Sequence, residues 1–192
     1  LQNGGTSVGI SYNAGRTWRL TTGTTGTSQQ WAGLAYGPAQ GLGGQGRFVA
    51  VSQTSTNQAV AYQDANSLGG TNWTYNATAL PTAGVYQTIT FVNSAFVTVS
   101  NAASTAAAYS TTGGQTWYNI TMPSSSNWSS VAGGYSTAAG AFYAVAVSAT
   151  SGTVNAYSAV TNFGGNVTMN NFTAGAALPS TALWTSVAYG LQ

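Results

Sequence analysis

Trp31-Ala-Gly-Leu-Ala-Tyr-Gly37 returns almost unchanged as Trp184-Thr-Ser-Val-Ala-Tyr-Gly190, with a third version at Trp128-Ser-Ser-Val-Ala-Gly-Gly134. Tyr86-Gln-Thr-Ile-Thr-Phe-Val92 holds the same place with Tyr for Trp. After the phrases at 31, 86 and 128 comes a second recurrent run: Arg47-Phe-Val-Ala-Val-Ser52, Ala95-Phe-Val-Thr-Val-Ser100 and Ala141-Phe-Tyr-Ala-Val-Ala-Val-Ser148. Alternation with period two and β-branched or aromatic content predict strands for both.

A third element follows, at Val8-Gly-Ile-Ser-Tyr12, Ala59-Val-Ala-Tyr62, Ala106-Ala-Ala-Tyr109 and Val154-Asn-Ala-Tyr157. A turn containing Gly leads to a fourth: Thr17-Trp-Arg-Leu20, Asn72-Trp-Thr-Tyr75, Thr116-Trp-Tyr-Asn119 and Asn166-Val-Thr-Met169. Leu80-Pro81, Met122-Pro123 and Leu178-Pro179 are expected to mark the exits, because Pro cannot donate to a sheet ladder. First phrases recur after 55, 42 and 56 residues. A four-strand phrase with a period near 50 predicts an all-β, propeller-type array of four-stranded blades; a sandwich gives no reason for the same order to recur. The expected division is a partial unit over 1–30, complete units over 31–85, 86–127 and 128–183, and the first strand of a further or closing unit over 184–192. Starting in mid-unit, the chain is expected to be part of a longer array.

The turns between third and fourth elements carry a phrase of their own. Ser11-Tyr-Asn-Ala-Gly-Arg-Thr-Trp18 resembles the Asp-box, Ser-x-Asp-x-Gly-x-Thr-Trp, of sialidase-like (BNR) propellers, with Asn13 at the acidic position. Ser110-Thr-Thr-Gly-Gly-Gln-Thr-Trp117 is similar, with Thr112 there and Gly114, Thr116 and Trp117 retained. Tyr62 to Trp73 is a lengthened relative and Ser158 to Val167 a degenerate one. The resemblance implies a folding device away from any catalytic face. The residues suit that role: Ser11 and Asn13 can bond nearby backbone, Gly15 can take positive φ, and Thr17 and Trp18 close the turn.

The resemblance would also imply an arginine triad, a Tyr-Glu nucleophile pair and an acid-base Asp. The chain has no Glu, and its whole charge inventory is Arg16, Arg19, Arg47 and Asp64. Without His, Cys or Lys there is no nucleophile-base couple, no zinc set and no Schiff base. Paired carboxylate chemistry needs a second acid. The expectation is a non-enzyme with no cofactor and no metal. Arg16 and Arg19 flank Trp18; these and Arg47 are expected to solvate the surface or stack on an aromatic. Three Arg are too few for binding to a nucleic-acid backbone, and no apolar run is long enough for a transmembrane helix.

An uncharged surface needs another source of solubility. Six sequons, at Asn72, Asn76, Asn119, Asn127, Asn166 and Asn171, are candidate N-glycosylation sites. Edges without charged guards suit a component of a fibre, spike, sheath or surface layer that associates with itself or with other subunits. The function expected is therefore a structural or adhesive segment at an extracellular, cell or virion surface. The alternative is a carbohydrate- or receptor-binding module using Tyr36, Tyr135 and Tyr189 at the ends of first strands. An ice-binding face at Thr21–Thr25 is disfavoured, because Thr has no regular repeat position.

Overall fold

The structure is a computed structural model describing residues 3–11, 13–21, 29–38, 45–54, 58–65, 73–150 and 152–190. It is all-β. A leading hairpin pairs β2 (Val8–Ile10) with β3 (Arg19–Thr21). Blade I has the order β1-β4-β5-β6-β7, from Asn3–Gly5, Gln29–Pro38, Gly46–Ser52, Val60–Asp64 and Thr74–Asn76. Blade II comprises β8 (Tyr86–Val92), β9 (Ala95–Ser100), β10 (Ser104–Ser110) and β11 (Tyr118–Ser126). Blade III comprises β12 (Trp128–Ser136), β13 (Ala141–Ser148), β14 (Asn155–Phe163) and β15 (Asn166–Met169), with β16 (Thr173–Ala174) beside β14. These ladders are all antiparallel, and β4 to β7, β8 to β11 and β12 to β15 run as meanders, the propeller-blade pattern, while β1 and β16 pair out of sequence with β4 and β14.

The second strands β5 and β9 are buried on both faces, which is why they read as nearly continuous apolar runs, whereas β13 leaves Phe142 exposed and Val145 half-buried on one face. Alternation sends Val49 and Val51 of β5 forward against Ile89, Phe96 and Trp117 of blade II, while Ala50 packs backward with Val8 of the hairpin. Val97 and Val99 in turn face Trp128, Val131 and Ala144 of blade III. Three apolar seams between successive sheets thus form the core. Each first strand carries a β-bulge at the same place, between Trp31 and Gly33, Tyr86 and Thr88, and Trp128 and Ser130. The buried Ser closing each second strand turns the chain away: Ser52, Ser100 and Ser148 accept from the backbone N–H two residues on, at 3.2, 3.3 and 3.0 Å.

Several details depart from expectation. Trp18, Trp73 and Trp117 precede the fourth strands, because the neighbouring Thr N–H groups of the two boxes bond turn side chains rather than a ladder. Pro123 lies inside β11 and marks no exit; that strand is an outer edge with a register break opposite Ser104–Ala106, so the missing N–H costs no ladder bond. Residues 184–190, expected to be a strand, lie extended along β12 without a ladder, held by Ser129 Oγ to the Trp184 carbonyl and Val187 N–H to Ser130 Oγ. A first strand is defined by its second, and no second strand flanks this phrase among the described residues.

Pro and the first-strand aromatic are linked in a way the sequence reading treated separately. Pro81, Pro123 and Pro179 each stand five residues before Tyr86, Trp128 and Trp184. The aromatic in each case donates back to the carbonyl after the Pro: Tyr86 Oη to Thr82 at 2.8 Å, Trp128 Nε1 to Ser124 and Trp184 Nε1 to Ser180, both at 3.3 Å. Trp31 has no such Pro, and its buried indole N–H has no partner among the described residues.

Burial pushes the Tyr86 phenol up to about 12. The unfolded chain loses that proton near pH 10 while the folded chain keeps it, so between these values the unfolded state binds fewer protons and stability falls as pH rises. Two pH units correspond to about 2.7 kcal/mol. Denaturation midpoints should hold level from about pH 6 to 9 and drop through pH 10–12. Tyr86→Phe should cost about 1 kcal/mol at neutral pH and remove the alkaline drop; an equal drop in that variant would assign it elsewhere.

Candidate functional site

The two boxes fold into the same hydrogen-bonded turn. In the first, Ser11 Oγ accepts from Gly15 N at 2.8 Å and Asn13 Oδ1 from Thr17 N at 2.8 Å, while Asn13 Nδ2 donates to Thr17 Oγ1 at 2.9 Å. In the second, Ser110 Oγ accepts from Gly114 N at 2.9 Å and Thr112 Oγ1 from Thr116 N at 2.8 Å. A Thr hydroxyl thus serves where Asn serves in the first box, so the turn needs a short acceptor and no charge. Both turns use two successive positive-φ residues, Ala14 with Gly15 and Gly113 with Gly114. The stretch from Ser158 to Val167 builds no box: β14 runs on to Phe163 and closes through Gly164 and Gly165, both at positive φ, in a two-residue hairpin.

The boxes differ in what they cover. Trp117 is buried, its Nε1 donating to the Gly114 carbonyl at 3.0 Å, and Gly114 lies so close to Val49 and Tyr62 of blade I that a Cβ would stand 2.9 Å from a Val49 methyl. Trp18 is 69% exposed and only borders the open cleft between the hairpin and blade I.

Arg47 overturns the expected surface role. It is buried, its Nε 2.6 Å from Asp64 Oδ1 and its guanidinium 4.7 Å above the Tyr62 ring. Nη1 reaches the carbonyls of Thr112 and Gly113 in the second box, at 3.4 and 3.3 Å. One cation therefore joins blade I to the turn of blade II, and the only carboxylate of the chain is held by it. The stacking half of the expectation corresponds to Tyr62. Arg16 and Arg19 lie exposed on the hairpin, so no arginine triad is assembled.

The three candidate ligand-facing tyrosines belong to the seams and rims. Numbering each first-strand phrase 1 to 7, residue 6 packs on residue 7 of the preceding phrase: Phe91 covers Gly37, Gly133 meets Val92, and Tyr189 covers Gly134. Large faces small each time. Tyr189 is thus a packing residue. Tyr36 is its counterpart in blade I, exposed but leaning on Phe48 at 4.9 Å between ring centroids, and Tyr135 pairs edge-on with Phe142 at 4.9 Å. A cleft lined by Ile10, Trp18, Leu34, Phe48 and Trp73 opens between hairpin and blade I, where later seams carry the paired Val residues of a second strand.

Most of the sequon side chains have local partners. Asn76 Oδ1 accepts from Thr78 N at 3.0 Å, Asn119 Oδ1 from Thr82 Oγ1 at 3.2 Å, Asn127 Oδ1 from Ala103 N at 2.7 Å and Asn171 Oδ1 from Thr121 N at 2.9 Å. Asn166 is exposed at the start of β15, and Asn72 lies outside the described residues. Among the described residues no cluster of three metal-ligating side chains occurs, and no helix is long and apolar enough to cross a membrane.

No family model matches the chain, and no curated protein matches it in sequence. Solved structures do resemble it. The intramolecular trans-sialidase from Ruminococcus gnavus, in complex with oseltamivir carboxylate, is 15% identical at TM-score 0.50 over 86% of this chain and 38% of that one. The leech intramolecular trans-sialidase complexed with 2,7-anhydro-Neu5Ac is 17% identical at TM-score 0.49, over 86% and 27%. YCF48 bound to a D1 peptide is 15% identical at TM-score 0.48, over 83% and 45%. The chain spans less than half of each of these structures. At such identity the Ruminococcus enzyme speaks for architecture alone: the fold is that of a sialidase-like β-propeller, seen here as a run of consecutive blades.

Proposed function

We propose that this chain is a non-enzymatic structural or adhesive segment of an extracellular, cell-surface or virion assembly, built from BNR-type repeats whose boxes act as folding devices. The observation that carries this reading is the state of Asp64. A catalytic carboxyl must reach substrate, whereas the single acid of the chain is engaged by the buried Arg47 in a contact between blades. With no Glu, His, Cys or Lys, the remaining side chains offer hydroxyls, amides and aromatic rings: groups that bind and pack. The near absence of charge, the sequons and the weakly guarded edges support an outward-facing setting.

A fluorogenic sialoside tests the reading. No release above the buffer blank is expected at any pH from 4 to 9; turnover that disappears in Asp64→Asn would overturn it. The alternative of a carbohydrate- or receptor-binding module draws support from the exposed Tyr36, leaning on the half-buried Phe48, and from the exposed pair Tyr135–Phe142. Saturable glycan binding lost in Tyr135→Ala would favour that reading over a purely structural one.

A further inference from the structure

We propose that Gln53, Gln87 and Asn101 form a binding site for a neutral glycan at the seam between blades I and II. Asn101 Nδ2 donates to Gln87 Oε1, and Gln87 Nε2 donates to Gln53 Oε1 at 2.9 Å. The relay runs one way, so it ends in an unused donor, Gln53 Nε2, and an unused acceptor, Asn101 Oδ1. Neither has a partner among the described residues. All three residues are half-buried, and hydrogen bonds in series polarise one another, which strengthens both ends. Turning all three amides over exchanges the ends and leaves the same pair.

The backbone holds these side chains in place by a device common to the three blades. The residue after the Ser that closes each second strand donates its N–H to the carbonyl just before the first-strand phrase: Gln53 to Gln30 at 2.9 Å, Asn101 to Val85 at 2.7 Å and Ala149 to Asn127 at 2.8 Å. Gln87 is the bulge residue of β8, so its side chain leaves the two-residue alternation. Ala32 and Ser129 hold that place in β4 and β12. The frame therefore repeats and the amides do not. At the next seam the three positions are Asn101, Ser129 and Ala149, and Ser129 Oγ donates to the Val147 carbonyl at 3.2 Å. That seam closes without a relay, so packing does not require one.

The chemistry of the relay selects the ligand. Sugar hydroxyls donate and accept at once, so a short oligosaccharide meets the donor end, the acceptor end and the unused amide protons between them. Peptide capture uses a free sheet edge or pockets for alternate side chains. Here the backbone N–H groups of Gln53 and Asn101 are already paired, and both residues follow the ends of their strands. Charge is absent as well. Arg47 lies near the start of β5 and Gln53 follows its last residue, about 20 Å along the strand. Arg16 and Arg19 sit in and beside the first box, the turn equivalent to the one that Arg47 reaches. A carboxylate on the ligand would find no counter-charge at the relay, which is why the glycan is neutral rather than sialylated. Because the frame is fixed before binding, little ordering cost falls on the protein.

This names the ligand class and the surface of the binding-module alternative, and it rests on that reading. A printed array of neutral oligosaccharides and their sialylated forms, probed with the 192-residue chain, should show binding that does not need sialic acid. Titrated against the 15N-labelled chain, the strongest neutral binder should shift the side-chain amide resonances of Gln53, Gln87 and Asn101 ahead of those of other Asn and Gln residues. Gln87→Ser and Asn101→Ala install the residues that blade III carries at these places, so both should fold, with near-UV circular dichroism as the check. Each should weaken binding about tenfold. Neutral-glycan binding lost in Tyr135→Ala but unaffected by Gln87→Ser would put the sugar on the aromatic pair, overturning this site while keeping the binding-module reading. Binding confined to sialylated glycans would overturn the site. Absence of glycan binding would overturn both the site and that reading and leave the structural one.

Discussion

Trp117→Ala is expected to lower the unfolding free energy by about 3–5 kcal/mol, whereas Trp18→Ala, at the matching position of the other box, should change it by less than about 1 kcal/mol. The side chains are the same and the turns are nearly superposable in their hydrogen bonds; what differs is the sheet in front of them. Trp117 is 7% exposed in a cluster with Val49, Val51, Val60 and Phe96, so truncation opens a cavity between two blades. Trp18 is 69% exposed at the mouth of an open cleft, so its truncation widens that cleft and encloses no new cavity. Urea titration of both variants measures the contrast. Comparable losses would mean that the box Trp stabilises its own hairpin and that the seam is incidental.

The second large effect is expected at the inter-blade cation. Asp64→Ala leaves the Arg47 guanidinium buried with its ring contact and two carbonyls but no counter-charge, and breaking a buried pair in this way costs about 3–5 kcal/mol. Asp64 is 35% exposed, so solvent screens part of the interaction and about 2–3 kcal/mol is the better figure. Replacing both partners, as Arg47→Met with Asp64→Leu, removes the uncompensated charge and should be less damaging than Asp64→Ala alone. It still abandons the Thr112 and Gly113 carbonyls, for about 1–2 kcal/mol. If the double variant proved the weaker, the desolvation account of the site would be wrong and the carbonyl clamp would be the main contributor.

Much of this architecture was legible because its signals are local. A bulged first strand, a Val-x-Val-Ser second strand and a Ser/Asn/Gly turn are each written within eight residues, and period-two alternation fixes which side chains face which seam. The role of Arg47 was not legible, since its partners come from β6 and from a turn some 65 residues away, and a lone Arg opening a strand looks like a surface residue. The packing of Tyr189 on Gly134 was not legible for a related reason. An aromatic at a strand end is read as a ligand platform or a packing knob according to the residue opposite, and Gly37 and Gly134 gain meaning only once the sheets are adjacent. The spacing from Pro81 to Tyr86, repeated twice, was the local signal available and unused. The phrase at 184–190 shows the opposite failure: a sequence that is a strand in three sheets forms no ladder where no second strand stands beside it among the described residues.

The fit of residue 6 against residue 7 makes the order of the blades a property of their contact surfaces. Blade III behind blade I would set Gly133 against Gly37 and leave a void, whereas a second blade II behind the first would drive Phe91 into Val92. Repeats that look interchangeable in strand pattern are therefore not interchangeable as building blocks. Duplication, deletion or shuffling of a whole unit should succeed only where the new neighbours restore a large residue opposite a small one.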